Sequence, residues 1–532
     1  MATRIDPGTL KSWIHDTGEL ALFDVREAGQ FGESHLLYAV PLPWSRLEID
    51  VVRLAPTRSV RTVLVDEDGE IALRAAARLE AIGYSDVSVL EGGNRAWAGQ
   101  GHPLFAGVNV PSKAFGELAE HVYHTPSVSA AQLAKMLEQD PDLVVLDGRP
   151  LTEYAKMSIP RAACCPNGEL ALRARSMVSS DSTTIVINCA GRTRSIIGAQ
   201  SLINLGVKNP VYALENGTQG WMLGGFKLEH GATRRYPEKP EPAHVDAARA
   251  MARGLVERFQ VPRVDADTLQ RWLADTTRTT FFFDVRSPEE FAAGGATGAE
   301  HAPGGQLVQA TDQYVGVRGA RIVLWDSDGV RAPVVAHWLR QLGHEVALCD
   351  APKDGVPASR DVGSTAHAGA IGLLPEVDAA ECRDDTVATV DLRPSPAYRK
   401  SHAKGARWSI RQRIASDLAK ETRPIVLIAD DPRIAALAAG ELAPVQRERA
   451  RLLRGGHAAW VEAKLPVEST PAFPPDNDCI DYLYFVHDRH DGNLDAARRY
   501  LAWELGLVAQ LDARELAGFK LPVPDPSTPA DH

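Results

Sequence analysis

A strand-like run ending in Asp-x-Arg occurs four times in this 532-residue chain. The copies are Leu22-Phe23-Asp24-Val25-Arg26, Val145-Leu146-Asp147-Gly148-Arg149, Phe282-Phe283-Asp284-Val285-Arg286 and Thr389-Val390-Asp391-Leu392-Arg393. An aromatic follows each one: Phe31, Tyr154, Phe291, Tyr398. A second β run comes later, at Thr62 to Val65, Thr184 to Asn188, Ile322 to Trp325 and Ile425 to Ile428. An Ala/Leu-rich segment of helical spacing comes next. In three copies it closes on glycine, at Gly83, Gly206 and Gly343, a favourable residue just past a helix end. A third β run leads into Gly-Gly-x-x-Ala-Trp at Gly92 to Trp97 and Gly455 to Trp460, with a relative at Asn216 to Trp221. The third copy lacks this ending, since Leu348 to Gly355 reads Leu-Cys-Asp-Ala-Pro-Lys-Asp-Gly. Internal repetition on this scale constrains the fold before any other feature does.

Strands alternating with helices predict parallel-sheet α/β units of roughly 100 residues each. Four such domains fit residues 1–107, 125–232, 260–358 and 373–468, and a partly helical tail fills 469–532. The joints are rich in Pro, Ala, Gly and charge, as at Tyr236 to His244 and Lys353 to Ala366. A formal net charge of −11 argues against nucleic acid or an acidic membrane as partner. No apolar stretch is long enough to span a bilayer, and the first residues lack the apolar core of a signal peptide. Six cysteines in so long a chain make no disulfide framework, and no Cys-x-x-Cys pair suggests zinc. Cys164 and Cys165 are adjacent, a poor geometry for a bridge or for joint ligation. A reducing cytoplasm is the expected setting.

The segment Ile185-Val186-Ile187-Asn188-Cys189-Ala190-Gly191-Arg192-Thr193-Arg194-Ser195 carries the chemistry. A β-branched run ends on Cys189, a polar loop with one glycine and two arginines follows, and a helix-forming stretch then begins. Unpaired loop amides and the positive end of a helix stabilise an anion, which suits a nucleophilic sulfur meeting an anionic substrate. A cysteine at a strand end is more often a small buried hydrophobe. Two arginines beside it have no packing purpose, which favours function here. Aligning the second β runs puts Asp66, Cys189, Asp326 and Ala429 at one position. Asp66 to Gly83, Cys189 to Gly206 and Asp326 to Gly343 each span 17 positions. The copies without sulfur have acidic loops, Asp66-Glu67-Asp68, Asp326-Ser327-Asp328 and Ala429-Asp430-Asp431. They read as loops on scaffold domains rather than as phosphatase-like nucleophiles or metal ligands.

The order and spacing of Asp-x-Arg, the Cys loop and the Gly-Gly-x-x-Ala-Trp ending resemble the rhodanese family of sulfurtransferases, over nearly the whole chain up to the tail. The resemblance implies four tandem doubly wound domains with parallel sheets, only the second catalytic. It implies Cys189 as nucleophile, with the amides from Ala190 and Gly191 through Ser195 cradling the thiolate, its persulfide and the donor's oxygens. Arg192 and Arg194 are expected to hold an anionic donor or acceptor. Ser195 is expected to cap the following helix or donate to the bound anion, and Thr193 to bond within the loop or lie exposed. Arg149 should pair with Asp147 as structural support. Asn167-Gly168-Glu169-Leu170 resembles the family segment facing the active site, which adds Glu169 and Arg173 as substrate-binding candidates. Family members commonly place glycine three positions after the cysteine. Here Gly191 is at two and Arg192 at three, so substrate preference does not carry over.

The activity implied is transfer of sulfane sulfur from thiosulfate, a persulfide or a mercapto acid, through a Cys189 persulfide, to a thiol or cyanide. No metal or organic cofactor is implied, and the expected partners are a small-molecule donor, a thiol acceptor or a sulfur-accepting protein. One alternative is a Cys-dependent phosphatase. Cell-cycle dual-specificity phosphatases share the fold but need arginine six positions after the cysteine, where this chain has Ser195. The other is a non-catalytic sulfur carrier or scaffold. In the tail, His487, His490 and nearby aspartates fit a metal site or, more simply, a polar turn before a helix at about Leu494 to Leu505. The aromatic cluster Tyr482, Tyr484 and Phe485 is expected to dock the tail onto a domain.

Overall fold

Every Asp-x-Arg run ends a buried strand in a five-stranded, all-parallel sheet, and four such sheets share one strand order. In the second copy the spatial order is Ser127–Val128, Val211–Leu214, Ile185–Asn188, Val144–Asp147 and Ala163–Cys164. The computed structural model describes residues 2–355, 371–382, 386–483 and 492–522, which form two units. The sheets of the first and fourth copies lie in one unit, and those of the second and third in the other together with the C-terminal helix Leu494–Leu505. His487 and His490, like Tyr484 and Phe485, lie outside the described residues. Among the described residues no cluster of His, Cys, Asp or Glu suits a metal ion, and no helix is long and apolar enough to cross a membrane.

Side chains alternate across each strand, so a sheet covered on both sides has two cores. In the second copy Val145, Val186 and Leu214 pack with Leu133, Tyr154 and Trp221 on one face. Leu146, Ile185, Ile187 and Ala213 pack with Leu170, Ala199 and Leu202 on the other. A third core joins the second and third copies, where Ala171, Leu172 and Leu205 meet Val330, Val334 and the helix residues Ala248, Ala252 and Leu255. Arg331 is buried in this contact, donating to Glu169 at 2.8 Å and to Glu290 and Asp328. In the other unit Arg411 plays the matching part, donating to Glu48 at 2.6 Å and to Glu441 at 3.0 Å.

Each Asp-x-Arg pair forms the same fork. Arg149 Nε and Nη2 donate to the two Asp147 oxygens at 2.8 and 2.7 Å, and Nη2 also donates to the Met157 carbonyl at 2.6 Å. Arg26, Arg286 and Arg393 bind Asp24, Asp284 and Asp391 alike, and each reaches the carbonyl eight residues on, at Ser34, Gly294 and Ser401. The fork ties the strand end to the chain that follows its first helix. Removing one partner leaves an uncompensated buried charge. We therefore expect Asp391→Ala to cost the fourth copy about 3–5 kcal/mol of stability, read as a lowered denaturant midpoint.

Candidate active site around Cys189

Cys189 follows the central strand Ile185–Asn188, and the helix Thr193–Leu205 starts four residues later. Ligands of open α/β sheets bind at this carboxyl edge. The position after the central strand holds Asp66, Asp326 and Ala429 in the other copies. The glycine-rich ending packs directly on this loop. Gly217 has φ +53°, and a Cβ there would meet the carbonyls of Cys189 and Gly191. Thr218 and Gln219 donate their amides to the Cys189 and Ala190 carbonyls at 2.8 and 3.1 Å. In the first copy the amides of Asn94 and Arg95 bind the carbonyls of Asp66 and Glu67 in the same way. The second residue of the motif is glycine because a backbone turn must lie against a backbone loop.

Cys189 is 1% exposed. It borders a cavity of about 450 Å³ lined by the Cys loop, Lys113, Arg149, Gln306, Gln309, Tyr500 and Glu504, among others. Ser195 Oγ donates to Cys189 Sγ at 3.0 Å, and the Arg192 carbonyl lies 3.8 Å from the sulfur. The fork holds the neighbouring strand, since Asn188 Nδ2 donates to Asp147 at 2.8 Å. Among the described residues no acceptor is paired with the amides of residues 190–194, and the helix start has no side-chain cap. The copies with aspartate differ. Asp66 accepts from the amides of Gly69, Ile71 and Ala72, and Asp326 from those of Gly329, Val330 and Ala332. Their own carboxylates fill the anion cradle that the second copy leaves open. Burial pushes the Asp326 carboxyl up to about 6.

Several expected roles change. Ser195 is the third helical residue, not the cap, and its amide donates to the Arg192 carbonyl at 3.0 Å, so it leaves the cradle. Thr193 is buried and donates to Glu504 at 2.9 Å. Arg192 and Arg194 are already engaged. Arg192 Nε donates to Glu117 at 2.9 Å and Nη2 binds Glu120, while Arg194 binds both Glu153 oxygens at 2.8 Å. Both arginines border the cavity, but their charge is offset by these carboxylates. Glu169 and Arg173 do not line it. They pair with each other at 3.2 Å; Glu169 also accepts from Arg331 in the contact between the second and third copies, while Arg173 donates to the Glu238 carbonyl at 2.7 Å. Burial pushes the thiol of Cys164 up to about 12 and that of Cys165 well above the ordinary range.

Sequence reasoning missed the helix Val110–Tyr123, which precedes the second copy. Lys113, Glu117 and Glu120 are spaced to share one helical face, a signal present in the sequence. A Cβ at Gly116 would meet Thr193 Cγ2 at 2.7 Å, so this helix lies close against the Cys loop.

A family model described as the rhodanese-like domain matches residues 6–100, 129–223 and 265–351. The chain belongs to the rhodanese family. A sulfurtransferase of Allochromatium vinosum is 30% identical over 106 residues, which is 20% of this chain and 97% of that protein. The crystal structure of thiosulfate sulfurtransferase from Pseudomonas aeruginosa is similar over 98% of this chain and 100% of its own, at 38% identity and a TM-score of 0.90. The fourth copy lies outside the matched residues yet keeps the rhodanese strand order of the other three.

Burial pushes the Glu117 carboxyl up to about 7, outweighing the pull of Arg192 beside it. The native state thus keeps a proton that the unfolded chain releases near 4.5, so this group makes stability fall as pH rises from about 4.5 to about 7. Glu117→Gln should flatten that part of the curve, measured as denaturant midpoint against pH.

Proposed function

We propose that Cys189 is the nucleophile of a sulfurtransferase that works by double displacement. The observation that carries this reading is the open cradle: a buried thiol beside a cavity, with loop amides that bond no acceptor among the described residues and a hydroxyl donating to the sulfur. The thiolate attacks the sulfane sulfur of the donor. A sulfur–sulfur bond to Cys189 Sγ forms, the donor's own sulfur–sulfur bond breaks, and the leaving group departs with that electron pair. With thiosulfate the leaving group is sulfite. An acceptor thiolate or cyanide then attacks the outer sulfur of the persulfide and releases Cys189 as thiolate. The terminal persulfide sulfur is anionic, and the amides of residues 192–194 occupy the place where their counterparts bind Asp66 and Asp326.

The enclosure of Cys189 supports a small-molecule donor and acceptor, since either must enter the cavity to reach the sulfur. Thiosulfate is one donor that the likeness to the Pseudomonas enzyme favours. Ser195 at the sixth position after the cysteine, in place of arginine, disfavours phosphatase chemistry. The first, third and fourth copies carry no sulfur on this reading, because their equivalent positions hold Asp66, Asp326 and Ala429.

Treatment with thiosulfate or a low-molecular-weight persulfide should add about 32 Da at Cys189, one sulfur atom, as thiolate exchange chemistry requires. Cys189→Ser should abolish both the added mass and turnover, and turnover at the wild-type rate would exclude the mechanism. The pairing of Arg194 gives a second test. Glu153→Gln leaves that guanidinium less neutralised beside the cavity, so KM for thiosulfate should fall about 10-fold, the scale of one charge-assisted contact. KM for an uncharged donor should change far less.

A further inference from the structure

The C-terminal helix Leu494–Leu505 packs against the Cys loop rather than on a remote face of the second copy. Glu504 is 1% exposed and accepts from Thr193 Oγ1 at 2.9 Å. It also pairs with Lys113 Nζ at 3.3 Å, and the same ammonium donates to the Tyr500 hydroxyl. The Lys113 charge lies 5.0 Å from the centre of the Tyr500 ring. A Cβ at Gly191 would stand 2.9 Å from Glu504 Oε2 and 3.2 Å from Tyr500 Cε1, so the loop glycine is in direct contact with the helix. Tyr500 and Glu504 both border the cavity that Cys189 borders.

We propose that Glu504 is a positioning residue of the Cys189 site, and that the C-terminal helix is a working part of that site. This inference rests on the sulfurtransferase reading above. The carboxylate binds the side chain of Thr193, the residue that opens the helix and carries one of the cradle amides. It also neutralises Lys113, the cation that fixes the helix Val110–Tyr123 beside the loop. The loop between Cys189 and Thr193 is thereby held from two sides, at Gly191 by contact and at Thr193 by a charge-assisted hydrogen bond. Small displacements of such a loop lower kcat because the sulfur and the cradle amides must face the same reacting atom. A Cβ at position 191 would press on the Glu504 carboxylate and the Tyr500 ring.

The test uses the full-length protein, thiosulfate as donor and cyanide as acceptor, with a low-molecular-weight persulfide as second donor. Glu504→Ala and Thr193→Val should each lower kcat about 10- to 100-fold, the scale of one hydrogen bond to a charged group, with a much smaller change in KM. Their double variant should lose little more than the worse single. Glu504→Gln, whose amide oxygen still accepts from Thr193, should recover most of the lost kcat. Alkylation of Cys189 by iodoacetamide reads the loop independently of sulfur transfer and should become several-fold faster once the wall loosens, in line with access-controlled thiol reactivity. Wild-type kcat and alkylation rate in a folded Thr193→Val protein would overturn the proposal, as would Glu504→Gln proving as damaging as Glu504→Ala. If Glu504→Ala does not fold, Thr193→Val decides alone. If the wild-type chain gains no sulfur from either donor while alkylation still responds to these substitutions, the sulfurtransferase reading fails and the positioning role stands.

Discussion

The aspartate–arginine fork is the interaction on which each domain depends. Two charges are taken out of water at the carboxyl end of the strand beside the central one, and their desolvation is offset only because the geometry is bidentate and the spare guanidinium proton finds a carbonyl. In the second domain the fork goes one step further. Asp147 also accepts from Asn188, the residue before Cys189, so the strand that carries the fork fixes the end of the strand that carries the thiol. Asp24, Asp284 and Asp391 hold their arginines in the same way, and domains without the cysteine therefore keep the same frame.

With the frame common to all four, the difference lies in what occupies the loop amides. A carboxylate in the first and third domains lies where an anion would otherwise be held, and it accepts from the helix amides itself. This is a satisfied helix start, stable and closed to other anions. In the second domain no described residue accepts from the amides of residues 190–194, and the thiol borders a cavity. Its two arginines border that cavity with their charge offset by Glu117, Glu120 and Glu153, which hold each guanidinium in place.

The legibility of the site follows the same division. Cys189, its loop and the Asp147–Arg149 pair could be read from spacing, because each depends on neighbours within one strand–loop–helix unit. Glu169 and Arg173 looked like site residues by position. Glu169 instead faces Arg331 of the third domain, 162 positions away, and Arg173 donates to Glu169 and to the carbonyls of Pro237 and Glu238. Local spacing does not mark Lys113, Tyr500 or Glu504 as site residues, for the converse reason. They reach the loop from a connecting helix and from the far end of the chain, Thr193 and Glu504 being 311 positions apart.

By itself the sequence determined the repeated α/β unit, the strand ends that carry buried ion pairs, and the one cysteine among the four residues that follow the central strands, since period, spacing and side-chain chemistry act locally. Only the tertiary structure decided which domains share a core, which arginines are already neutralised, and that the C-terminal helix walls the cavity beside Cys189. Those outcomes depend on which buried charges and apolar faces meet across long stretches of chain. Periodicity within one repeat carries no information about such meetings.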